Sequence, residues 1–157
     1  MRREILYVLV LFLSAILLLN CSKSSPESTE QANYVDEMDD RTRIRFRQYM
    51  IQGKKLYELH CANCHQSDGT GLAKLIPPLA KADYLMDSLM RTVCVIKNGL
   101  DSTIVVNGVE FSQPMPAHTD LRNLEIAEII TYITNSWGNE AGITSTREVE
   151  IYESECL

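Results

Sequence analysis

The sequence has no excess of basic residues and no apolar run long enough for a typical membrane-spanning helix. Its 157 residues include 15 Lys and Arg against 21 Asp and Glu. The longest apolar run, residues 5–19, is interrupted only by Ser14 and falls short of the about 20 residues that a bilayer requires. The charge balance argues against nucleic acid and against an anionic membrane surface as partners, and is compatible with a basic protein partner. Internal repeats are also absent, so the length suits one domain with appendages.

The first twenty residues have the layout of an export signal. Arg2 and Arg3 form a charged n-region, and residues 5–19 form the apolar h-region that follows it. The apolar stretch stops close to Cys21 and so resembles a bacterial lipoprotein signal, in which the cysteine carries the lipid and becomes the mature N-terminus. An ordinary cleavage near Cys21 and an uncleaved anchor helix are the alternatives. We expect residues 1–20 to be a signal peptide, Cys21 to be a lipid anchor, and the exported protein to lie in the periplasm or at a cell-envelope membrane.

Two segments of the mature chain are expected to lack a packed core of their own. Residues 21–40 are rich in Ser, Glu and Asp and are predicted to be a flexible tether. Residues 139–157 form a polar, acidic C-terminal tail, for which we expect disorder, with a docked strand through Val149 and Ile151 as the alternative. Removal of the signal takes away two Arg and one Glu, so the mature chain keeps 13 basic and 20 acidic residues and a net charge of −7.

Residues 41–138 are predicted to form one small, mainly helical domain. Apolar residues recur at helical spacing in three segments, and an Asn-Gly pair marks the turn of a short hairpin. The helical segments are residues 46–59, 83–98 and 123–136, and the hairpin is residues 103–111. The expected helix boundaries are N-caps at Asp39 or Asp40 and at Thr119 or Asn123, and an end at Gly138.

The most informative motif is Cys61-Ala-Asn-Cys64-His65. A structural zinc site needs four ligands, usually in two closely spaced pairs, and the other candidates here form no second pair: Cys94, Cys156, His60 and His118. A thioredoxin-type dithiol follows a strand, whereas a helical pattern precedes this motif and a loop rich in Gly and Pro follows it. Haem attachment accounts for the spacing, because Cys61 and Cys64 would form thioethers with the two vinyl groups and His65 would lie beneath the iron. The motif therefore predicts one covalently bound haem c.

Met115 is the expected sixth ligand of the iron. Methionine is a common choice in electron-transfer haems because its thioether raises the reduction potential. Met115 lies between two prolines, a context unsuited to a regular helix or a central strand, so a core-filling role is disfavoured. Met86 and Met90 lie in a helical segment and are predicted to fill the core. His118 is the alternative ligand.

Taken together, these residues resemble those of a class I c-type cytochrome over about residues 47–137. In that family the N-terminal helix has a glycine where the C-terminal helix crosses it closely, and the C-terminal helix has an aliphatic and an aromatic residue at the crossing. The matching residues here are Gly53, Tyr57, Cys61, Ile129 and Tyr132. The resemblance implies an all-α, small cytochrome c fold, in which the N- and C-terminal helices cross around a covalently bound haem, with a short β-hairpin.

The resemblance also implies roles for residues outside these helices. Pro77 matches the family proline whose carbonyl accepts the N–H of the haem-ligating histidine, with Pro78 as the alternative. Residues 135–138, Asn-Ser-Trp-Gly, are similar to the helix end of small bacterial cytochromes, where the Trp packs near the haem edge; an ordinary core Trp is the alternative. Cys94 stands where an aliphatic residue is usual and is expected to be a small buried hydrophobe. A disulfide with Cys156 would account for both cysteines.

This reading implies an electron carrier rather than an enzyme. With His65 and Met115 both on the iron, no coordination position is open for a substrate. The carrier would dock briefly with redox partner proteins and be held at a membrane by its lipid anchor. The alternatives are the electron-entry cytochrome subunit of a larger reductase or oxidase, and a small haem peroxidase with a displaceable sixth ligand. A sensor would need a signalling domain, and the sequence has none.

Overall fold

A computed structural model describes residues 38–156, which are mainly helical and include one two-stranded antiparallel sheet, as predicted. The elements of this part are α1 (Asp40–His60), α2 (Ala62–His65), α3 (Asp83–Met86), α4 (Leu89–Asn98), β1 (Ile104–Val106), β2 (Val109–Phe111), α5 (Asn123–Ile133) and α6 (Thr146–Ser154). The predicted signal peptide, the lipid anchor at Cys21 and nearly all of the tether lie outside the described residues. No helix within residues 38–156 combines the length and the hydropathy needed to cross a membrane.

Helix α1 begins at one of its two predicted caps and crosses α5 as the resemblance implies, although Leu59 of its predicted apolar stripe is 73% exposed. Asp39 is the N-cap, and its side chain accepts hydrogen bonds from the backbone N–H groups of Arg41 and Thr42. The buried face of α1 crosses α5 at Gly53, where a Cβ atom would lie only 2.0 Å from the carbonyl oxygen of Glu128. Glycine is therefore required by the distance between the two helices and not by its backbone freedom.

The predicted helix at residues 83–98 is two helices. α3 ends at Met86, and α4 begins after Ser88, whose extended backbone places its hydroxyl to accept a hydrogen bond from the N–H of Arg91. A serine side chain that bonds a nearby backbone N–H favours a new N-cap over continued helix. The break changes one core prediction. Met86 packs against the core as expected, but Met90 is 38% exposed, so its predicted burial is wrong.

The hairpin forms at the predicted Asn-Gly turn. Val106 pairs with Val109, Ile104 pairs with Phe111, and the two turn residues, Asn107 and Gly108, both have positive φ angles. This is the conformation that a two-residue hairpin loop requires, and Asn-Gly adopts it readily.

Helix α5 differs from its prediction at both ends. It begins at Asn123, and Arg122 is the N-cap, so the predicted caps Thr119 and Asn123 were both wrong. The Glu125 carboxylate accepts hydrogen bonds from the backbone N–H and the guanidinium of Arg122, and this contact holds the pKa of Glu125 low, at about 2. The helix ends at Ile133, well before the predicted end at Gly138. Beyond it the side chain of Asn135 donates a hydrogen bond to the carbonyl of Gly142 in the tail.

The C-terminal tail is neither disordered nor a strand. Ser145 caps helix α6: its hydroxyl accepts from the N–H of Glu148, and the Glu148 carboxylate accepts from the backbone N–H of Ser145, a capping box that the sequence contains. Val149 is fully buried in the core. Cys156, just beyond the helix, forms a disulfide with Cys94 of α4. The side chain of Cys94 is half-buried. The disulfide that would account for both cysteines is present, and the tail is part of the folded domain.

The disulfide should contribute measurably to stability. Its two cysteines are 62 residues apart, so removal of the disulfide opens a long loop and restores considerable chain entropy to the unfolded state. We expect the Cys94→Ser/Cys156→Ser protein to unfold with a free energy about 2–4 kcal/mol lower, measured by denaturant titration of its far-ultraviolet circular dichroism. Cys94→Ser alone should lose a similar amount. An unchanged midpoint in both variants would contradict the cross-link.

Candidate functional site

A deep apolar cleft lies beside the crossing of α1 and α5. It measures about 1030 Å³ out to its open mouth, and the side chains that line it are almost all hydrophobic. They come from separate parts of the chain: α5 contributes Ile129 and Ile133, the hairpin Val106 and Phe111, and α4 Val95 and Ile96. The apolar character of this lining suits an apolar ligand that several parts of the chain enclose together.

The two cysteines and the histidine of the haem-attachment motif all line this cleft. Cys61 caps the end of α1, and Cys64 and His65 lie on the single turn of α2 that follows, so three reactive side chains are presented within one helical turn. Both cysteines are free thiols, Cys61 half-buried and Cys64 exposed. Burial, with a smaller effect of Cys64, raises the pKa of the Cys61 thiol to about 12.

His65 is buried and oriented by a backbone carbonyl. Its Nδ1 atom lies 3.0 Å from the carbonyl oxygen of Pro77, which is the contact that the sequence comparison with the cytochrome family implies. A carbonyl can only accept a hydrogen bond, so Nδ1 must hold the proton and Nε2 must keep its lone pair. Burial lowers the pKa of His65 and outweighs the opposing effect of the Pro77 hydrogen bond, so the ring is held neutral. A neutral, oriented imidazole with a free Nε2 is the form that ligates iron.

The loop that presents Pro77 is held at both ends. The N–H of Gly71 donates to the carbonyl of His65 at 3.0 Å, and a Cβ atom at Gly71 would lie 2.3 Å from the carbonyl of Ile76. At the far end, the buried side chain of Asn139 donates to the carbonyls of Leu79 and Ile133 and accepts from the N–H of Lys81. One asparagine therefore joins this loop to the end of α5, and sequence reasoning did not identify it.

Met115 lines the cleft from a second constrained loop. Its backbone N–H and carbonyl both bond Leu100, at 2.7 and 2.9 Å. The turn that allows this approach is Gly99, which has φ 76° and ψ −175°, a conformation almost restricted to glycine. A Cβ atom there would lie 2.7 Å from the Met115 carbonyl oxygen and 2.9 Å from the Ala117 nitrogen. Gly99 therefore ends α4 and also positions the Met115 loop, a role that sequence reasoning did not identify.

Other predicted residues lie elsewhere. His118 does not line the cleft, and its ring packs edge-on against that of His60 with 6.0 Å between centroids. Trp137 is not among the lining residues either, and it packs in an aromatic cluster with Tyr57 and Tyr132. Within residues 38–156, no group of three or more His, Cys, Asp and Glu side chains is arranged to hold a metal ion.

The cleft residues fit a haem group. The lining is apolar as a porphyrin requires, two thiols and a neutral imidazole lie together, and a thioether is available from Met115. Arg91 stacks over Tyr84, a lining residue, with its guanidinium carbon 3.9 Å from the ring centroid. Its Nε atom is buried and has no hydrogen-bond partner among the described residues. The two carboxylates of a haem supply acceptors of the kind that this donor lacks.

Comparisons with known proteins agree with this site. The family model of cytochrome c matches residues 50–137, more than half of the chain. Two Thermus thermophilus proteins named cytochrome c-552 are each 34% identical over 91 residues, or 55% of this chain, and the match covers 69% of one and 61% of the other. The cytochrome c subunit of a quinone alcohol dehydrogenase from Gluconacetobacter polyoxogenes is 33% identical over 98 residues, 61% of this chain but only 21% of that subunit.

Gly99→Ala should destabilise the Met115 loop specifically. Gly108→Ala is the matched control, because Gly108 has φ 77° and nothing lies within 4 Å of its Cβ position. Both variants place alanine at a positive φ, but Gly99→Ala also meets a ψ of −175° that only glycine adopts readily and a Cβ clash with the Met115 loop. We expect Gly99→Ala to lower the free energy of unfolding by about 1–3 kcal/mol more than the control, measured by denaturant titration. Equal losses would mean that the close approach at Gly99 is unimportant.

Proposed function

Since the chain belongs to the cytochrome c family and binds haem c covalently, we propose that it is a single-haem electron carrier with His65 and Met115 as iron ligands. The haem supplies the chemistry when bound, because its iron takes up and releases one electron. The chain supplies attachment, orientation and shielding from water. The observation that carries the proposal is the presence in one apolar cleft of the free thiols of Cys61 and Cys64, the oriented ring of His65 and the side chain of Met115.

Each residue has a distinct role in this proposal. Cys61 and Cys64 form the thioether links to the two vinyl groups and so keep the cofactor in the cleft. His65 provides one axial ligand through Nε2, while the Pro77 carbonyl fixes the ring and increases its basicity. Met115 provides the other, and the thioether favours the reduced iron and thus a higher potential. Its position in the cleft, where His118 is absent, supports this assignment over the alternative.

A carrier is favoured over a peroxidase by the residues that the cleft lacks. Asp, Glu, Lys and Arg are absent from its lining among the described residues, and His65 is the one imidazole there. Cleavage of peroxide needs an open iron position and a nearby acid–base group. Met115 on the iron would close the open position. The described lining also offers no carboxylate, Lys or Arg for the acid–base step.

The membrane tether is part of the proposal. Export through residues 1–20 and lipidation at Cys21 would keep the carrier in the periplasm or at a cell-envelope membrane, within reach of partners there. Membership of a larger oxidoreductase is a second candidate. It is favoured by the alcohol dehydrogenase relative, whose printed name describes a cytochrome c subunit.

Replacement of Met115 tests the ligand assignment. The oxidised protein should show the weak near-infrared band of sulfur bound to ferric iron. Met115→Ala should lose this band and have a lower reduction potential, because the thioether no longer favours the reduced iron. Met90→Ala is the matched control, since Met90 is exposed and outside the cleft, and it should retain both properties. If His118→Ala removes the low-spin spectrum and Met115→Ala does not, the assignment is wrong.

Carbon monoxide binding separates a carrier from an enzyme. The Met115 backbone is paired with Leu100 and flanked by two prolines, so its loop gains little entropy when the sulfur leaves the iron. We therefore expect the reduced native protein to bind carbon monoxide very poorly at neutral pH, and Met115→Ala to bind it readily, both followed by the shift of the main haem absorption band. Rapid, stoichiometric binding by the native protein would favour the peroxidase alternative.

A further inference from the structure

The solvent face of α1 combines exposed aliphatic side chains with basic ones. Ile44, Ile51 and Leu59 are 58%, 58% and 73% exposed. Their spacing of seven and eight residues places them within about 80° of one another on one face of the helix, which we treat as a line along its axis, opposite the buried residues Phe46 and Tyr57. The line extends about 22 Å along the helix, at 1.5 Å per residue. We call this line, with the basic residues beside it, the α1 stripe.

The α1 stripe has a positive charge in an otherwise acidic protein. Helix α1 contains six Arg and Lys and two acidic residues, Asp40 and Glu58, whereas the rest of the chain contains nine basic and nineteen acidic residues. Both acidic side chains form ion pairs within the helix, with Arg43 and Lys54. The exposed basic residues that flank the aliphatic line are Arg41, Arg47, Lys54 and Lys55.

We propose that the α1 stripe lies on an anionic phospholipid surface. A helix with aliphatic residues along a line and Arg and Lys on both sides has the composition of helices that bind at the membrane interface. The acidic remainder of the protein is repelled by such a surface, so the charge asymmetry turns α1 towards it. A single straight helix also meets a plane along its whole length. The overall acidic charge, which the sequence alone suggests would oppose this contact, is concentrated elsewhere on the molecule.

This inference rests on the membrane attachment in the proposed function and adds an orientation to it. Helix α1 begins at Asp40, soon after the proposed anchor at Cys21, so the tether would keep the stripe close to the lipid headgroups. The inner face of α1 packs on α5, two of whose side chains line the haem cleft. Contact through the stripe would therefore hold the cleft at one orientation relative to the membrane, which limits the directions from which redox partners approach.

The test uses the mature holoprotein in lipid vesicles, with one spin label. Under the proposed function the native cysteines are all committed, to haem, disulfide or lipid, so a new cysteine is the one free thiol. The label is placed at the exposed Gln48 within the stripe (Gln48→Cys) or, as matched control, at the exposed Glu150 on α6 (Glu150→Cys). Accessibility to a water-soluble nickel chelate is then compared between phosphatidylcholine vesicles and vesicles that also contain phosphatidylglycerol.

We expect phosphatidylglycerol to reduce nickel access several-fold at position 48 and not at position 150. Adding Arg47→Gln and Lys55→Gln to Gln48→Cys should restore access, because each basic residue contributes about fivefold to binding at an anionic surface. Adding Ile51→Gln should also weaken the protection. Unchanged access at position 48 in both vesicle types would overturn the proposal. So would protection of position 48 by poly-glutamate without protection by vesicles, since that would assign the stripe to an acidic protein.

The same samples report separately on the anchor. A lipidated protein should float with phosphatidylcholine vesicles whether or not the α1 stripe touches them. Flotation with both vesicle types together with an exposed position 48 refutes the stripe and leaves the anchor intact. Failure to float with phosphatidylcholine refutes the anchor, while protection at position 48 in anionic vesicles would still support the stripe.

Discussion

The contact between the backbones of α1 and α5 at Gly53 is the constraint on which the rest of the structure depends. The two helices approach so closely that the Cβ of any other residue would meet the Glu128 carbonyl. This fixes the position of α1, and with it the turn that carries Cys61, Cys64 and His65. It also fixes the rotation of α5, whose Ile129 and Ile133 close one side of the cleft. Without this contact the attachment motif would lose the side of the cleft that α5 supplies.

Hydrogen bonds to backbone groups hold the loops of the cleft in place. Gly71, Gly99 and Asn139 each allow or make contacts that place a carbonyl or an amide at a required position. This arrangement suits a carrier, since electron transfer proceeds fastest when the iron ligands need not move between oxidation states. It also leaves the apolar side chains of the lining free to pack against the cofactor.

Segments outside the part matched by the cytochrome family model adapt this core. Helix α6 buries Val149 and, through the disulfide and an ion pair between Glu153 and Lys97 at 3.0 Å, supports the side of α4 that faces away from the cleft. At the other end, the first turns of α1 precede the matched residues and contribute four arginines. The two additions differ in character: the first strengthens a small domain, and the second changes its surface charge.

Features determined by a few neighbouring residues followed from the sequence alone. The Cys61–His65 motif, the Asp39 cap and the Asn-Gly hairpin each have a local chemical signature, and the cap and the hairpin lie where they were predicted. Gly53 lies at the helix crossing, as the resemblance to the family implied. The capping box that starts α6 had such a signature too, in Ser145 and Glu148, although the polar composition of the tail led us to expect disorder. Only the tertiary structure decided that Pro77 and not Pro78 meets His65, that Met115 and not His118 lines the cleft, and that Cys94 pairs with Cys156. These depend on distances between residues far apart in the chain, which are set by how the helices pack and which no local pattern encodes.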